Sequence, residues 1–263
     1  MVEPWDGVGV EQFRLDGRVA VVTGASSGLG VAFARGLAAA GARVVVAARR
    51  RERLDVLVGE IEEQGGEALA VTCDVTSEPD VDSAVASTVE RFGTVDVLVA
   101  NAGITDPAPA EVETLETFRR VVDVNLTGVF LCAQRFARVM LERGRGSIVP
   151  VASVLGLVGA GQIPQASYAA SKGAVVNLTR ELAAQWARRG IRVNSIAPGW
   201  FPSEMTGEMF DSERGLDWIR RRTPMGRAGE LTEITGALLF LASDASSYVT
   251  GQTIAVDGGW TIV

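Results

Sequence analysis

The stretch RVAVVTGASSGLG, residues 18–30, decides the fold, because an apolar run leads directly into a turn rich in glycine. The β-branched residues of Arg18–Thr23 predict a strand buried on both faces, and the apolar spacing of Gly28–Ala40 predicts a helix after the turn. Glycines permit a tight turn and a close approach to a pyrophosphate, while the helix offers N–H groups and a positive dipole. The turn therefore predicts a nucleotide site, although its G-x-x-x-G-x-G spacing differs from the common G-x-G-x-x-G.

Short apolar runs alternate with longer amphipathic segments along nearly the whole chain. This rhythm predicts right-handed crossovers and a parallel sheet covered by helices on both sides. Since no repeat or linker interrupts it, we expect an α/β, single-domain Rossmann fold over residues 1–263, with a doubly wound sheet of seven strands. Residues 200–225 break the rhythm and predict a lid over the carboxyl edge of the sheet. The predicted strands are Arg18–Thr23, Arg43–Ala48, Ala68–Thr72, Val95–Ala100, Ser147–Val151, Arg192–Ala197 and Thr253–Val256; the predicted helices are Gly28–Ala40, Arg51–Gln64, Glu78–Phe92, Leu115–Arg143, Ser167–Arg189 and Glu230–Ala242.

Composition excludes several classes of chemistry. The 263 residues include 32 acidic and 25 basic side chains, for a formal net charge of −7, and no histidine. Hydrolysis that needs imidazole and zinc sites that need histidine are therefore excluded, and we expect no metal. The N-terminal stretch MVEPWDGVGVEQF lacks a basic segment followed by an apolar one, so no signal peptide is predicted. Cys73 and Cys132 each lie beside apolar residues, and we expect two buried free thiols in a cytoplasmic protein.

The residues after the second predicted strand bear on the choice of cofactor. An acidic side chain about 20 residues beyond the glycine turn would bind the ribose 2′-hydroxyl of NAD. The sequence has Arg49, Arg50 and Arg51 there instead, and a guanidinium fork suits a 2′-phosphate. NADP(H) is therefore favoured, with Arg49 as its ligand and NAD(H) as the alternative; Arg51 and Arg53 are interpreted as the exposed start of a helix. Asp74, just beyond the third strand, is either a ligand of the adenine ring or an ordinary turn residue.

The stretch YAASK, residues 168–172, is the most informative for chemistry. Residues four apart share one face of a helix, so the phenol of Tyr168 and the ammonium of Lys172 can face one pocket. A cation about 4 Å away at an effective dielectric near 20 contributes roughly 4 kcal/mol, which would bring the phenol pKa from about 10 to near 7. Because Lys172 is the only lysine in a chain that otherwise uses arginine, its place beside a tyrosine predicts a phenol that carries protons.

With these motifs the chain resembles the classical short-chain dehydrogenase/reductase family over nearly its whole length. The resemblance implies hydride transfer between a nicotinamide and a carbonyl or an alcohol. One departure is a segment between Ser153 and Tyr168 slightly longer than usual, which could displace Ser153 and leaves Ser167 as a competing hydroxyl. Besides the glycine turn, the matching residues are Asp74, Asn101-Ala102-Gly103 after strand four, Asn125 within a helix, Ser153 after strand five, Tyr168, Lys172 and Pro198-Gly199 after strand six.

The resemblance also implies a role for each residue of the reacting site. Tyr168 would be the general acid in reduction and the base in oxidation, and Ser153 would hydrogen-bond the substrate oxygen as negative charge grows on it. Lys172 would lower the pKa of Tyr168 and hold the nicotinamide ribose, while Asn125 would anchor a water that feeds protons to Lys172. Ser203 stands where the family usually has a threonine for the carboxamide. The predicted cofactor-binding residues are Gly24, Ser26, Ser27, Gly28, Leu29, Gly30, Arg49, Asp74, Val75, Asn101, Ala102, Gly103, Tyr168, Lys172, Pro198, Gly199 and Ser203.

Apolar residues flank the predicted site. The loop VLGLVGAGQIPQA, residues 154–166, is almost wholly apolar, and the lid adds bulky side chains. They favour an apolar or aromatic ketone or aldehyde, or the corresponding alcohol, as substrate; ordinary packing of the lid is an equal alternative. The run Arg220–Arg222 is interpreted as a solvated helix face. The lid side chains are Trp200, Phe201, Met205, Met209, Phe210 and Trp218.

Two other functions stay open. One is a 3-oxoacyl-carrier-protein reductase, which needs a basic rim for an acidic carrier; the net charge of −7 disfavours it. The other is a catalytically silent NADP-binding sensor, against which the intact Ser153, Tyr168 and Lys172 argue. The arginines available for such a rim are Arg119, Arg120 and Arg138.

The predicted partners are a small carbonyl or alcohol substrate and further copies of the chain. The excess of acidic residues argues against a nucleic-acid partner. A membrane span is not predicted either, because the sequence contains no run of about 18 apolar residues. The family resemblance implies a homotetramer packed through the helices at Leu115–Arg143 and Ser167–Arg189.

Overall fold

A computed structural model describes residues 9–263 of the chain. Residues 1–8, the larger part of the stretch for which no signal peptide is predicted, lie outside the described residues. The strands are β1 (Val19–Thr23), β2 (Arg43–Ala48), β3 (Ala68–Thr72), β4 (Val97–Ala100), β5 (Gly146–Pro150), β6 (Ile191–Val193), β7 (Ser195–Pro198) and β8 (Thr253–Val256). The helices are α1 (Gly28–Ala39), α2 (Arg51–Glu63), α3 (Glu78–Phe92), α4 (Leu115–Val122), α5 (Gly128–Arg143), α6 (Ala166–Trp186), α7 (Gly207–Phe210), α8 (Glu213–Arg222) and α9 (Thr235–Ala242).

The main sheet is parallel and doubly wound, as the sequence predicts. Its strand order is β3-β2-β1-β4-β5-β6, so the chain runs outward from β1 to one edge and then from β4 to the other. The carboxyl ends of β1 and β4 therefore flank the point at which the strand order reverses. In open α/β sheets that crevice is where ligands bind.

Both faces of the sheet are buried, which explains the nearly continuous apolar strands. Val19 and Val21 of β1 join one core cluster, with α3, α5 and α6, while Ala20 and Val22 join another, with α1, α2 and α9. Side chains that alternate between faces need apolar residues at every position when helices cover both sides.

The prediction of seven strands in one sheet needs correction: the main sheet has six, and β7 and β8 form a separate parallel pair. The predicted strand Arg192–Ala197 is divided at Asn194. The side chain of Asn194 donates to the carbonyl of Val249 at 2.8 Å and accepts from the backbone N–H of Gln252 at 3.0 Å, tying the chain to the segment before β8. The break between the six-stranded sheet and the β7-β8 pair is slight, since the N–H of Ala152, just after β5, still donates to the carbonyl of Ile196 in β7 at 2.8 Å.

The predicted helices differ mainly at two places. The segment Leu115–Arg143 is helical throughout but contains a π-helical turn, Asp123–Thr127, between α4 and α5. The predicted helix Glu230–Ala242 begins only at Thr235. Within residues 9–263, no helix is long and apolar enough to cross a bilayer, and no cluster of acidic or cysteine side chains is arranged to hold a metal ion.

Candidate active site

The glycine turn connects β1 to α1 in a shape that side chains would block. Gly24 and Gly28 have φ of +66° and +54°, the left-handed region in which L side chains are strained. A Cβ on Gly24 would lie 2.7 Å from Cα of Ala102, and one on Gly28 would lie 2.9 Å from Cβ of Ser203. The backbone of this turn therefore lies against both the segment after β4 and the segment after β7.

Hydrogen bonds fix the turn to the segment after β4. The hydroxyl of Thr23 accepts from the backbone N–H of Asn101 at 3.1 Å and of Ala102 at 3.2 Å. The Asn101 amide donates in return to the carbonyls of Thr23 and Gly24, at 3.0 and 3.2 Å. The Asn101 side chain thus links the carboxyl ends of the adjacent strands β1 and β4.

The turn and its surroundings suit a dinucleotide. Ser27 precedes α1 without capping it by its side chain, so the first amides of the helix are left for another acceptor. The predicted Gly199 packs so closely that a Cβ would lie 2.7 Å from Cα of Asp257, which holds Pro198-Gly199 at the rim of the crevice. Val75 is buried and packs against Gly128; a Cβ added to Gly128 would lie 2.7 Å from the side chain of Val75.

The arginine that contacts the turn is Arg50, to which the sequence interpretation gives no role. Its guanidinium donates to Ser26 Oγ at 2.9 and 3.1 Å and to Ser27 Oγ at 3.0 Å. Arg49 is exposed at the same edge and makes no hydrogen bond or ion pair within residues 9–263. The three successive arginines after β2 indicate that Arg50 was a further candidate ligand, but the spacing does not tell which of their side chains points toward the glycine turn.

The carboxylate of Asp74 is engaged in its own turn. Its Oδ1 accepts from the backbone N–H of Thr76 at 2.9 Å and from the Thr76 hydroxyl at 2.7 Å. Asp80 in turn accepts from the backbone N–H of Asp74 at 3.0 Å. These bonds fit the alternative of a turn residue and leave the second carboxylate oxygen of Asp74 for a ligand.

Ser153 and Tyr168 meet in spite of the longer segment between them. Ser153 follows β5 and accepts from the N–H of Leu155 at 3.1 Å, which starts a short 3-10 turn. A Cβ on Gly156 would lie 2.6 Å from the backbone of Lys172, so this turn packs directly on α6. The side chain of Ser153 lies close enough to the Tyr168 hydroxyl to lower the pKa of the phenol, whereas the hydroxyl of the competing Ser167 is buried without a partner among the described residues.

Lys172 is only 3% exposed, and its ammonium lies beside Tyr168 rather than on the phenol oxygen. Its Nζ donates to the carbonyl of Val151 at 2.7 Å and lies 5.7 Å from the centre of the Tyr168 ring. Burial lowers the pKa of Lys172 to about 8 and raises that of Tyr168, an effect that the side chain of Ser153 partly opposes. The expected phenol pKa near 7 is therefore not found, because the same burial that brings the ammonium close removes water from the phenol.

Asn125 is fully buried in the π-helical turn between α4 and α5. Its Oδ1 accepts from the N–H of Ile104 at 2.8 Å, and its Nδ2 donates to the Ile104 carbonyl at 2.9 Å and to Ser171 Oγ at 3.2 Å. A Cβ on Gly103 would lie 3.3 Å from Asn125 Oδ1 and 3.5 Å from Lys172 Nζ. The amide therefore joins the segment after β4 to α6 next to Lys172.

An apolar cluster borders Tyr168. Trp200 and Trp218 meet edge to face at 5.2 Å, and Trp200 and Trp260 at 6.0 Å. Arg220 and Arg221 are exposed, as the interpretation of a solvated helix face expects, whereas Arg222 is half-buried with its guanidinium 5.3 Å from the ring centres of both Trp218 and Trp260. We call this apolar cluster the tryptophan wall; its buried members are Val154, Leu155, Trp200, Ile219 and Trp260, against which Tyr168, Met209, Phe210 and Trp218 pack.

Three other predicted residues of this segment lie outside the tryptophan wall. Phe201 packs into the core cluster of α1 and α9, and Met205 is exposed. Ser203 caps a short 3-10 turn by reciprocal hydrogen bonds with Thr206. Trp260, close to the C-terminus, was not predicted for the site, because nothing in its local sequence indicates contact with residues 200–222.

Comparisons with known proteins agree with this arrangement. A family model described as enoyl-(acyl carrier protein) reductase matches residues 24–261. The chain is 44% identical over 247 residues to cis-4-hydroxycyclohexanecarboxylate dehydrogenase of Sinomonas cyclohexanicum, covering 94% of this chain and 97% of that protein. Among solved structures, a short-chain type dehydrogenase/reductase from Mycobacterium marinum has a TM-score of 0.93 at 40% identity, covering 96% of this chain and 99% of that one. A gluconate 5-dehydrogenase from Burkholderia cenocepacia, in complex with NADP and tartrate, has a TM-score of 0.92 at 42% identity, covering 96% and 98%.

Proposed function

The chain belongs to the short-chain dehydrogenase/reductase family, oxidoreductases that act on CH–OH groups, and on that premise we propose an NADP(H)-dependent enzyme that interconverts an apolar or aromatic ketone or aldehyde and its alcohol. The observation that carries the proposal is the arrangement of Tyr168, of the buried Lys172 with its Nζ 5.7 Å from the Tyr168 ring, and of Ser153, whose turn packs directly on α6. This group lies at the carboxyl edge of the sheet, next to the glycine turn.

The residues of the cluster have distinct parts in the proposed reaction. In reduction, Tyr168 gives its phenolic proton to the carbonyl oxygen, and in oxidation the phenolate takes the proton from the alcohol. Ser153 donates a hydrogen bond to the same oxygen, where negative charge develops. When bound, the nicotinamide supplies or accepts the hydride.

Lys172 and Asn125 have supporting roles in proton transfer to Tyr168 and in binding of the nicotinamide ribose. With a pKa of about 8, Lys172 is charged at neutral pH and can replace the proton that Tyr168 has lost. The amide of Asn125, already bonded to the Ile104 backbone beside Lys172, would anchor a water on this path. Lys172 would also hold the nicotinamide ribose.

The preference for NADP(H) rests on the arginines after β2. Arg49 is exposed at this edge without a side-chain partner among the described residues, and Arg50 lies on the serines of the glycine turn, so both guanidinium groups are placed where a 2′-phosphate would bind. The gluconate 5-dehydrogenase structure with bound NADP supports this cofactor. NAD(H) remains the alternative.

The proposed substrate class rests on the tryptophan wall. Its rings offer apolar surface beside Tyr168, and the guanidinium of Arg222 lies 5.3 Å from the centres of two of the rings. One relative is a dehydrogenase of cis-4-hydroxycyclohexanecarboxylate, whose hydrocarbon ring fits such a surface although the molecule also carries a carboxylate. The gluconate 5-dehydrogenase among the solved structures is named for a polyhydroxy acid, which does not fit it.

A 3-oxoacyl-carrier-protein reductase is the second candidate, favoured by relatives of that name from Synechocystis and Thermotoga maritima that are 42% and 41% identical to this chain. Its basic rim would have to come from α4 and α5. Arg120 is already paired with Asp106, which leaves Arg119 and Arg138. A silent NADP-binding sensor is the third, and it requires that the cluster around Tyr168 be unused.

One assay separates these functions. We would follow the loss of NADPH absorbance with cyclic and aromatic ketones, a keto sugar acid and an acetoacetyl thioester. Turnover that favours the apolar ketones supports the proposal, while preference for the thioester or the sugar acid replaces the substrate class. Tight NADPH binding without reduction of any carbonyl would favour the sensor.

We also propose a cytoplasmic homotetramer packed through α4, α5 and α6. Leu115 and Phe118 of α4 and Phe130 of α5 are exposed apolar side chains on these helices. Such residues are expected where another copy of the chain covers them.

A further inference from the structure

Glu204, in the segment after β7, binds the arginines that follow β2. Its carboxylate lies 2.9 Å from Nη1 of Arg50 and also pairs with Nη1 of Arg53. The side chain of Ser27, in the glycine turn, lies close enough to this carboxylate to lower its pKa. The donors thus come from the turn and from the start of α2, and they converge on one carboxylate.

These donors form an anion site at the edge where a 2′-phosphate is proposed to bind. Arg50 is oriented by Ser26 and Ser27, so its guanidinium is held toward the turn. Two guanidinium groups and a hydroxyl are a suitable set for a phosphate monoester. In the structure, Glu204 supplies the anion that this set binds.

The fold has little need of these ion pairs. The side chains of Arg50, Arg53 and Glu204 are each about half exposed, at 42%, 50% and 50%, and exposed ion pairs contribute little to stability. The bonds to Arg53 and Arg50 and the side chain of Ser27 lower the pKa of Glu204 to about 2, so the carboxylate is ionised throughout the neutral range. A cofactor phosphate can therefore replace it without unfolding any element.

We propose that Glu204 competes with the 2′-phosphate of the cofactor for Arg50 and Arg53, and so sets the selectivity between NADP(H) and NAD(H). NADP(H) must displace the carboxylate, whereas NAD(H), which lacks the phosphate, leaves it in place. This inference rests on the proposed function only in requiring that a nicotinamide dinucleotide bind at the glycine turn.

The test is the binding of NADPH and NADH to the full chain, without substrate, by titration calorimetry. We expect Glu204→Gln to raise NADPH affinity about three- to fivefold, the upper part of the range for an exposed ion-pair contribution lost from the competition, and to change NADH affinity less than twofold. Glu208→Gln is the matched control, because Glu208 lies one helical turn further along the same segment, and it should change neither affinity.

A second comparison identifies the arginines as the partners. In an Arg50→Ala, Arg53→Ala background, Glu204→Gln should no longer raise NADPH affinity. A gain shared equally by both cofactors, no gain, a lower NADPH affinity, or a gain that survives loss of both arginines would each overturn the inference. If neither cofactor binds to the unaltered chain, the proposed function fails as well, which distinguishes the two failures.

Discussion

At the scale of single residues, the hydroxyl of Tyr168 carries the proposed chemistry. Replacing it in Tyr168→Phe removes the proton donor but keeps the ring that packs on the tryptophan wall. We expect kcat to fall by roughly 10²–10⁴-fold, with the dissociation constant of NADPH nearly unchanged.

The chain offers a matched control for that change. Its other tyrosine, Tyr248, is fully exposed, and Tyr248→Phe should leave kcat as it is. Equal turnover by Tyr168→Phe and the unaltered enzyme would remove Tyr168 from the reaction.

Lys172 makes a second residue-scale prediction, about stability. The pKa of Lys172 is about 8 in the folded protein, compared with an ordinary value of 10.5. Between pH 8 and 10.5, the unfolded chain therefore holds a proton on Lys172 that the folded chain has lost. The free energy of unfolding therefore gains a positive contribution as pH rises through this window, and the penalty for burying the charge is greatest below pH 8.

Lys172→Met isolates this contribution from the other titrating groups. From pH 7 to about 9.5, we expect the unaltered protein to gain up to about 2 kcal/mol relative to Lys172→Met, measured by urea unfolding. A difference that stays constant or shrinks over this range would mean that Lys172 does not carry a lowered pKa.

Spacing along the chain predicted some residues of the site and could not predict others. Tyr168 and Lys172 are four apart on one helix, and that relation is local. The contact of Arg50 with Ser26 depends on the direction of a side chain at a strand end, and the contact of Trp260 with Trp200 depends on the path of the C-terminal segment. Neither leaves a local signal in the sequence.

At the scale of elements, the contact between the 3-10 turn after β5 and α6 brings Ser153 to Tyr168. Gly156→Ala tests it, because a Cβ there would lie 2.6 Å from the backbone of Lys172 and push the two elements apart. We expect kcat to fall at least about tenfold and stability to fall by about 1–3 kcal/mol, as for other overpacked sites, with NADPH affinity little changed.

Gly159, in the same loop, provides the comparison. A Cβ there meets nothing within 4 Å, so Gly159→Ala should preserve both kcat and stability. Should Gly156→Ala keep full kcat, the close packing of this turn would have no part in placing Ser153.

Most elements were predictable because their apolar periodicity matches the two buried faces of the sheet. Two of the exceptions arise where one polar side chain is buried. Asn194 bonds the segment before β8 and divides the predicted strand, and Asn125 lies in a π-helical turn within the predicted helix Leu115–Arg143. Periodicity records which positions are apolar, and it does not record what a buried amide binds.

At the scale of the whole molecule, the surface of α4 and α5 is the place to test assembly. Leu115 is 70% exposed and Phe130 is 41% exposed, although both are large apolar side chains. A carboxylate at the centre of an apolar contact would have to be desolvated without a partner, which costs several kcal/mol. Phe130→Asp should therefore convert the proposed tetramer to smaller species.

Light scattering after size-exclusion chromatography measures the mass of the assembly directly. Val56→Asp is the matched control, because Val56 is 64% exposed on α2, outside the proposed interface. We expect Val56→Asp to keep the mass of the unaltered protein while Phe130→Asp loses it, with kcat reported for both. Because Tyr168, Ser153 and Lys172 all come from one chain, smaller species that bind NADPH normally would show that assembly is separate from the chemistry. An unaltered protein that runs as a monomer, or a Phe130→Asp variant that keeps the tetramer mass, would place the contacts between copies elsewhere.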